Sequence, residues 1–587
     1  MWCEQMTTIR CSYTSHGFRE QKRYLLLIAS FLMIVIPRII MLGSVCTVDE
    51  PQWMIRSQKF IKFVSRGYLH KTFVSKHPGV TVMWIAGIAG RSAKAVQSVC
   101  SGDSWKEAFS SSPPPLWRYR PNMKRMLLKI EQMAIALFIS VFAWLSCLWF
   151  SKALNSGILL MMSSLLIGAD PFYVGLCRIV NPDGLMATFA FASCGALVCF
   201  VFDGGLKSKW LFISGGLAGL CALSKVSGLI LIPWALGALV VAGWMHWAGT
   251  IPAYWLRFRR SVLWGFRKWG IWFTGMLIIF VSLWPAFWVS PFRCLKFIAK
   301  GAWWAIITPH KGSTAAIYGH GPEAWDYFIR LAIFTPPWIP WILALGVMLL
   351  IFFTCISVLH KRGLFLGHNF GIFDIENHRW LFTGIALITF ILSFPILMSF
   401  GSKQAGRYIL ASFIGIDIFT ALLCTVLITT VCKSMPRFKP FVLLLVFSLI
   451  LWCGATLGKW LPYTTAYRHP FFGNLPVSGK PLPYWWGEGI EESAEVLNKL
   501  EGSKNLVVAT SHPQVLFMFF EGTTCTYRSV FNHSADYVVL YRDFVERHPN
   551  SKLVGKFLSK CPLIETIYLP NYRRKPITWI YDTRHLK

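Results

Sequence analysis

Residues 24–50 read YLLLIASFLMIVIPRIIMLGSVCTVDE, and this stretch decides the fold. The run from Tyr24 to about Val45 can cross a bilayer, which takes ~20 apolar residues. The acidic pair Asp49-Glu50 that follows therefore sits at a membrane surface, where carboxylates stay solvated and can do chemistry. The run is too long for a cleavable leader, and Val45-Cys46-Thr47 leads into Asp49 without a small-residue cleavage pattern. It reads as a retained signal-anchor helix.

Similar runs recur along all 587 residues, of which 55% are hydrophobic and only 14% charged. Such a composition identifies a polytopic α-helical membrane protein. Hydropathy places about eleven spans, near 24–45, 127–150, 156–177, 183–202, 209–224, 227–247, 270–289, 331–358, 380–400, 407–431 and 440–461. Lys225 interrupts the apolar stretch between the fifth and sixth. Lysine and arginine concentrate in alternate short loops, as in Arg257, Arg259, Arg260, Arg267 and Lys268 or Lys433, Arg437 and Lys439. The positive-inside bias then puts the N-terminus in the cytoplasm and the C-terminus outside. The expected organisation is a membrane module over 1–461 and an extracytoplasmic C-terminal domain over 462–587. The module includes a first outer loop (46–126) and a second large outer loop (290–330).

Apolar periodicity in 52–64 and 79–97 predicts amphipathic helices lying on the membrane in the first outer loop. The tail holds a helix-like run (Glu491 to Leu500) and strand-like runs at Asn505 to Thr510, Tyr537 to Tyr541, Leu563 to Leu569 and Ile577 to Tyr581. They predict a small α/β domain. The net charge of +32 asks for an anionic partner such as lipid headgroups, a lipid phosphate or an acidic glycan. No nucleic-acid motif accompanies it. The sixteen cysteines contain no C-x-x-C pair, which leaves metal and redox readings weak. Cys525 and Cys561 are candidates for a disulfide if the tail lies outside the cytoplasm.

With this topology, polar groups gather on one membrane face: Asp49 and Glu50, His77, Arg178 and Asp183 in CRIVNPDGL, Lys225 in LSKVSGL, and Lys403, Gln404 and Arg407 in GSKQAGRYIL. His310, Lys311 and His320 lie in the second outer loop. Carboxylates and cations at the outer ends of separate helices suit deprotonating an acceptor while holding a phosphate. Each member has a plainer reading. Charges at span ends snorkel or stay solvated. Asp49-Glu50 could simply cap a helix opening at Pro51. His77 precedes Pro78 as a turn residue would, and Arg38 lies near enough to the end of its span to snorkel.

The set resembles the GT-C-type polyprenyl-phosphate-dependent glycosyltransferases, which include the protein O-mannosyltransferases and the aminoarabinose transferases that modify lipid A. The residues that carry the resemblance are Arg38, Asp49-Glu50, His77-Pro78, Arg178 with Asp183, Lys225, and Lys403-Gln404 with Arg407-Tyr408. The tail segment YWWGEGIEESAEVLNKL (484–500) also looks like the start of the C-terminal domain in bacterial and archaeal members. The usual His-Pro-Pro appears as His77-Pro78-Gly79. Neither the carbohydrate-binding repeats of eukaryotic protein mannosyltransferases nor a WWDYG-type oligosaccharyltransferase signature is present, so protein acceptors and preassembled glycans are disfavoured.

The resemblance implies an inverting transfer from a polyprenyl-phosphate sugar to a hydroxyl-bearing glycan, lipid or protein, in the plasma (inner) membrane of a prokaryote. Asp49, Glu50 and Asp183 are the catalytic candidates. Arg38, His77, Arg178, Lys225, Lys403, Gln404, Arg407 and Tyr408 are the candidates for gripping the donor and its phosphate. A lipid monophosphate leaves without needing a divalent ion, so no cofactor is required and a metal is optional. Two other classes compete. A transporter or flippase would place ionisable groups near the bilayer midplane. A non-catalytic assembly partner would keep the fold without activity.

Overall fold

A computed structural model describes residues 21–586 except 22, 76–77, 103, 105–115, 204–207, 249, 308–324, 347, 349–377, 402–404, 478–479, 482–485, 532–533, 549–557 and 569–575. Among the described residues, six helices are long and apolar enough to cross a membrane: Pro121–Ala153, Pro182–Phe202, Val226–His246, Arg379–Ser399, Gly406–Lys433 and Pro436–Trp460. Two bent pairs raise the number to as many as eight, Gly157–Ala169 with Pro171–Cys177 at 73° and Asp326–Phe334 with Ile339–Gly346 at 103°. The chain is thus an integral membrane protein. Residues 23–39 are also helical, and Lys209–Ser224 is a shorter apolar helix. The expected run 270–289 divides into the end of helix Tyr254–Ser282 and the short helix Pro285–Val289, while part of 331–358 lies outside the described residues.

The breaks have local causes. At the first bend, Pro171 opens the second helix and Asp170 caps it, accepting from Phe172 N at 2.8 Å and Tyr173 N at 3.1 Å. Proline cannot continue the preceding helix, and an aspartate before it satisfies the freed N–H groups. Lys225 likewise ends Lys209–Ser224 in extended backbone, at φ −156° and ψ 142°.

Close helix packing comes from small residues, as expected where lipid supplies no hydrophobic drive between helices. A Cβ on Gly215 would lie 1.8 Å from the carbonyl oxygen of Trp272, so only glycine lets Lys209–Ser224 approach Tyr254–Ser282 this closely. Beside it, Trp272 Nε1 donates to Ser214 Oγ at 3.0 Å.

The segment 46–126, expected as the first outer loop, carries helices Glu50–Ser65 and Val80–Cys100, matching the two periodic segments. In the tail, β1 (Pro476–Val477) and β2 (Lys480–Pro481) form a small hairpin. The strands β3 (Val507–Thr510), β4 (Thr523–Thr526), β5 (Tyr537–Tyr541), β6 (Leu563–Tyr568) and β7 (Pro576–Asp582) form a sheet in the order β4-β3-β5-β7-β6. β3 is parallel to both its neighbours, whereas β7 is antiparallel to β5 and β6. β4, within EGTTCTYRS, had no strand reading in the sequence; its burial is only partial, so it shows no apolar alternation. Cys525 and Cys561 are not joined to each other, so the candidate disulfide does not form in this structure. The buried core is continuous from the bundle into the tail through Trp460, Tyr467, Val477, Ile490 and Leu516.

Candidate active site

Asp49 occupies the N-cap position of Glu50–Ser65, yet its side chain makes no capping hydrogen bond. Asp49 Oδ2 instead accepts from Arg407 Nη1 at 2.9 Å and from Asn181 Nδ2 at 3.5 Å. The plain capping role thus fails for Asp49. Glu50 explains why Asp49 can turn outward. It is fully buried, and its oxygens accept from Thr47 N (2.6 Å), Thr47 Oγ1 (3.0 Å), Gln132 Nε2 (2.8 Å) and Val180 N (2.9 Å). Burial pushes the Glu50 carboxyl up from its ordinary range, and these donors pull against that shift. Glu50 therefore ties the loop after the first helix to Pro121–Ala153 and to the turn ahead of Asp183. Both its oxygens are occupied, which gives it a place as the anchor beneath Asp49.

Asp183 stands in the first turn of Pro182–Phe202, behind the N-cap Asn181, whose Oδ1 accepts from Asp183 N at 2.9 Å. Its side chain is only 3% exposed and lies between two cations, Lys225 on Oδ1 and Arg407 Nε 3.7 Å from Oδ2. Lys225 reaches it from the C-cap of Lys209–Ser224, while Arg407 comes from the single turn Gly406–Ile409 that opens Leu410–Ser434. Two aromatic rings close the group. Lys225 Nζ lies 4.0 Å from the centre of Tyr408, and Arg407 lies 4.4 Å from that of Trp486. Trp486 belongs to the tail, and its carbonyl accepts from Val48 N at 3.1 Å. The result is a chain of alternating sign, Asp49, Arg407, Asp183, Lys225, drawn from four separate elements. Only Asp49, at 34%, is well exposed. Among the described residues, Arg407 Nε is buried without a hydrogen-bond partner.

Two other candidates lie apart from this group. Arg38 is fully buried and donates to the carbonyls of Ile34 at 2.6 Å and Ile167 at 3.1 Å, with Tyr173 4.8 Å away. Arg178 donates to the Ile40 carbonyl and is 5% exposed. Both join the first helix to the bent pair and so fix where Asp49 emerges. His77, Lys403, Gln404, His310, Lys311 and His320 fall outside the described residues. Asn181 and Trp486 were not legible as site residues. Their signals were positional, an N-cap beside Pro182 and a tryptophan in the tail segment already quoted. Among the described residues, no group of three or more His, Cys, Asp or Glu is placed to hold a metal ion.

No family model and no curated protein matches the sequence. Solved structures do resemble the fold. The apo form of ArnT from Cupriavidus metallidurans aligns with a TM-score of 0.46 at 11% identity, over 98% of this chain and 99% of that one. Its complex with undecaprenyl phosphate gives 0.43 and 11%, over 97% and 98%. The oligosaccharyltransferase AglB from Archaeoglobus fulgidus, in complex with an inhibitory peptide and a dolichol-phosphate, gives 0.45 and 11% over 90% and 70%. At these scores the likeness supplies no functional conclusion. The chain is an integral membrane protein whose neighbours among solved structures are GT-C glycosyltransferases, the group that its motif set resembles.

Proposed function

We propose that this chain is a membrane glycosyltransferase that moves a sugar from a polyprenyl-phosphate donor to an acceptor hydroxyl on the extracytoplasmic face. The observation that carries the reading is Arg407, held between Asp49 at 2.9 Å and Asp183 at 3.7 Å with its Nε unmatched. A donor phosphate supplies the missing acceptor. As it draws Arg407 and Lys225 towards its own oxygens, Asp49 is released to act as a base. The acceptor oxygen then attacks the anomeric carbon and its proton passes to Asp49. The bond from that carbon to the phosphate oxygen breaks with inversion. Arg407 and Lys225 meet the charge that develops on the leaving phosphate, and fixed cations gain most where charge grows. Asp183, buried between them, holds both cations beside the phosphate as they shift. In this reading residues 1–461 form the catalytic module, and the domain over 462–587 closes the site through Trp486.

The test is to incubate purified protein with a panel of polyprenyl-phosphate sugars and to follow free polyprenyl phosphate. Release that depends on an added hydroxyl acceptor supports transfer. One observation favours a transporter instead. Arg38, Asp170 and Asp417 are fully buried inside the bundle, as ionisable groups on a transport path would be. Movement of the intact lipid-linked sugar across vesicles, with no lipid phosphate released, would establish that alternative.

A further inference from the structure

A cavity of about 540 Å³ opens where the last membrane helix meets the loop that leads into the tail, lined by Trp452, Lys459, Trp460, Tyr467, Arg468 and His469 among others. Among the described residues no carboxylate lines it, although Glu488 lies within electrostatic reach of Arg468. The cavity is not part of the Asp49 group. Phe334 stands between them, packed under Arg468 at 4.3 Å on one side and against Gly406 on the other.

His469 is the informative residue. It is 2% exposed, and its Nδ1 accepts from Phe471 N and Phe472 N, both at 3.1 Å. A ring nitrogen that accepts two backbone N–H groups carries no proton, so the proton of the neutral ring is on Nε2. That Nε2 is buried and has no hydrogen-bond partner among the described residues. Burial also lowers the His469 pKa, which favours the neutral donor form. A buried donor left without an acceptor is destabilising, and a bound acceptor removes that cost.

The neighbouring helix indicates where the acceptor comes from. Trp452, Ala455, Thr456 and Lys459 line the cavity at i, i+3, i+4 and i+7 spacing, which makes one stripe on Lys439–Trp460. That helix is largely unburied, with Leu443, Leu444, Leu445, Phe447 and Leu451 exposed, and in a membrane this surface meets acyl chains. The stripe therefore runs from a lipid-facing wall into a pocket of two cations, a lone donor and two indoles. Tryptophan and lysine at this depth match the headgroup level of a bilayer. We infer that this cavity is a second lipid site, which holds the anionic phosphate headgroup of a membrane lipid whose chains lie along the last helix. The inference does not depend on sugar transfer at Asp49.

Native mass spectrometry of the full chain in detergent tests it, with dioctanoyl phosphatidate as probe and dioctanoyl phosphatidylcholine as the lipid of cancelled charge. His469→Asn keeps an acceptor where Nδ1 stands and deletes the Nε2 donor. Lys459→Gln alters an exposed side chain and leaves folding intact. Wild type should retain phosphatidate in preference to phosphatidylcholine, and each variant should weaken that retention about tenfold while phosphatidylcholine is unaffected. Three results would overturn the inference: no phosphatidate retained by wild type, wild-type retention in both variants, or displacement of phosphatidate by an equal concentration of inorganic phosphate.

Discussion

Asp49 and Glu50 are neighbours of the same chemical type with opposite fates. Glu50 is fully buried under four donors, and Asp49 faces out toward Arg407. The pair was legible as a candidate, but its division into a buried and an outward carboxylate was not, because burial is set by Gln132 and Val180, distant in sequence. Asp49→Asn keeps size and hydrogen bonding but cannot take a proton. Turnover should fall by ~10²–10⁴, the usual worth of a general base, while binding of the polyprenyl-phosphate sugar persists. Retention of more than about a tenth of wild-type turnover would remove Asp49 from the base role. Arg407 leads to a second expectation. Its planar fork can hold two phosphate oxygens, which lysine's point charge cannot. Arg407→Lys should weaken donor binding moderately, and Arg407→Ala by about 1.5–3 kcal/mol for a lost charged hydrogen bond. Titrations with sugar-loaded and bare polyprenyl phosphate should show equal losses, and unchanged binding of both would make Arg407 an anchor only.

At the scale of elements, the turn at Pro78-Gly79 shows how one backbone setting positions the site. Gly79 sits at φ +55°, and its N–H donates to the Ser224 carbonyl at 3.2 Å, one residue before Lys225. Thr81 Oγ1 and Ser224 Oγ are 2.7 Å apart. The first outer loop is thereby fastened to the helix end that presents Lys225. The departure from the His-Pro-Pro pattern now has a reason, since proline is locked near φ −65° and cannot adopt this turn. A Cβ at position 79 would also lie 2.2 Å from the indole of Trp53. Gly79→Ala should therefore lower the thermal midpoint in detergent, with the left-handed backbone alone costing ~1–2 kcal/mol. The double variant Gly79→Ala/Trp53→Ala should not recover that backbone part. A Gly79→Ala protein as stable as wild type would mean that the loop is held elsewhere.

For the whole molecule, the site requires the first outer loop and the tail to share one side of the membrane. Val48 N donates to the Trp486 carbonyl at 3.1 Å, and Lys124 caps the Phe517 carbonyl while its Nζ lies 3.5 Å from that ring. These contacts join the loop and the base of Pro121–Ala153 to the tail. From the charge distribution we propose that this shared side is extracytoplasmic. An impermeant maleimide should label Cys100, which is exposed, and a Ser551→Cys variant in intact cells, with the remaining cysteines replaced. Labelling of either position only after permeabilisation would dismantle the proposed assembly.

The sequence alone determined the membrane class, the helical runs, the paired amphipathic helices of the outer loop and most tail strands. These follow from local periodicity and apolar length, which a chain carries in its own order of residues. It also named Asp49, Asp183, Lys225 and Arg407 as candidates on one membrane face, through charges at span ends, within a larger set that included Arg38 and Arg178. Only the tertiary structure decided how they meet. Asp183 lies between Lys225 and Arg407, Asp49 meets Arg407 and Asn181, and Trp486 arrives from 79 positions beyond Arg407. It likewise withdrew Arg38 and Arg178 to the joints of the first helix. Such pairings depend on bends at Asp170-Pro171, Lys225 and Gly79 and on the glycine contacts that set helix spacing. Those are long-range consequences of packing, and no local window of sequence contains them.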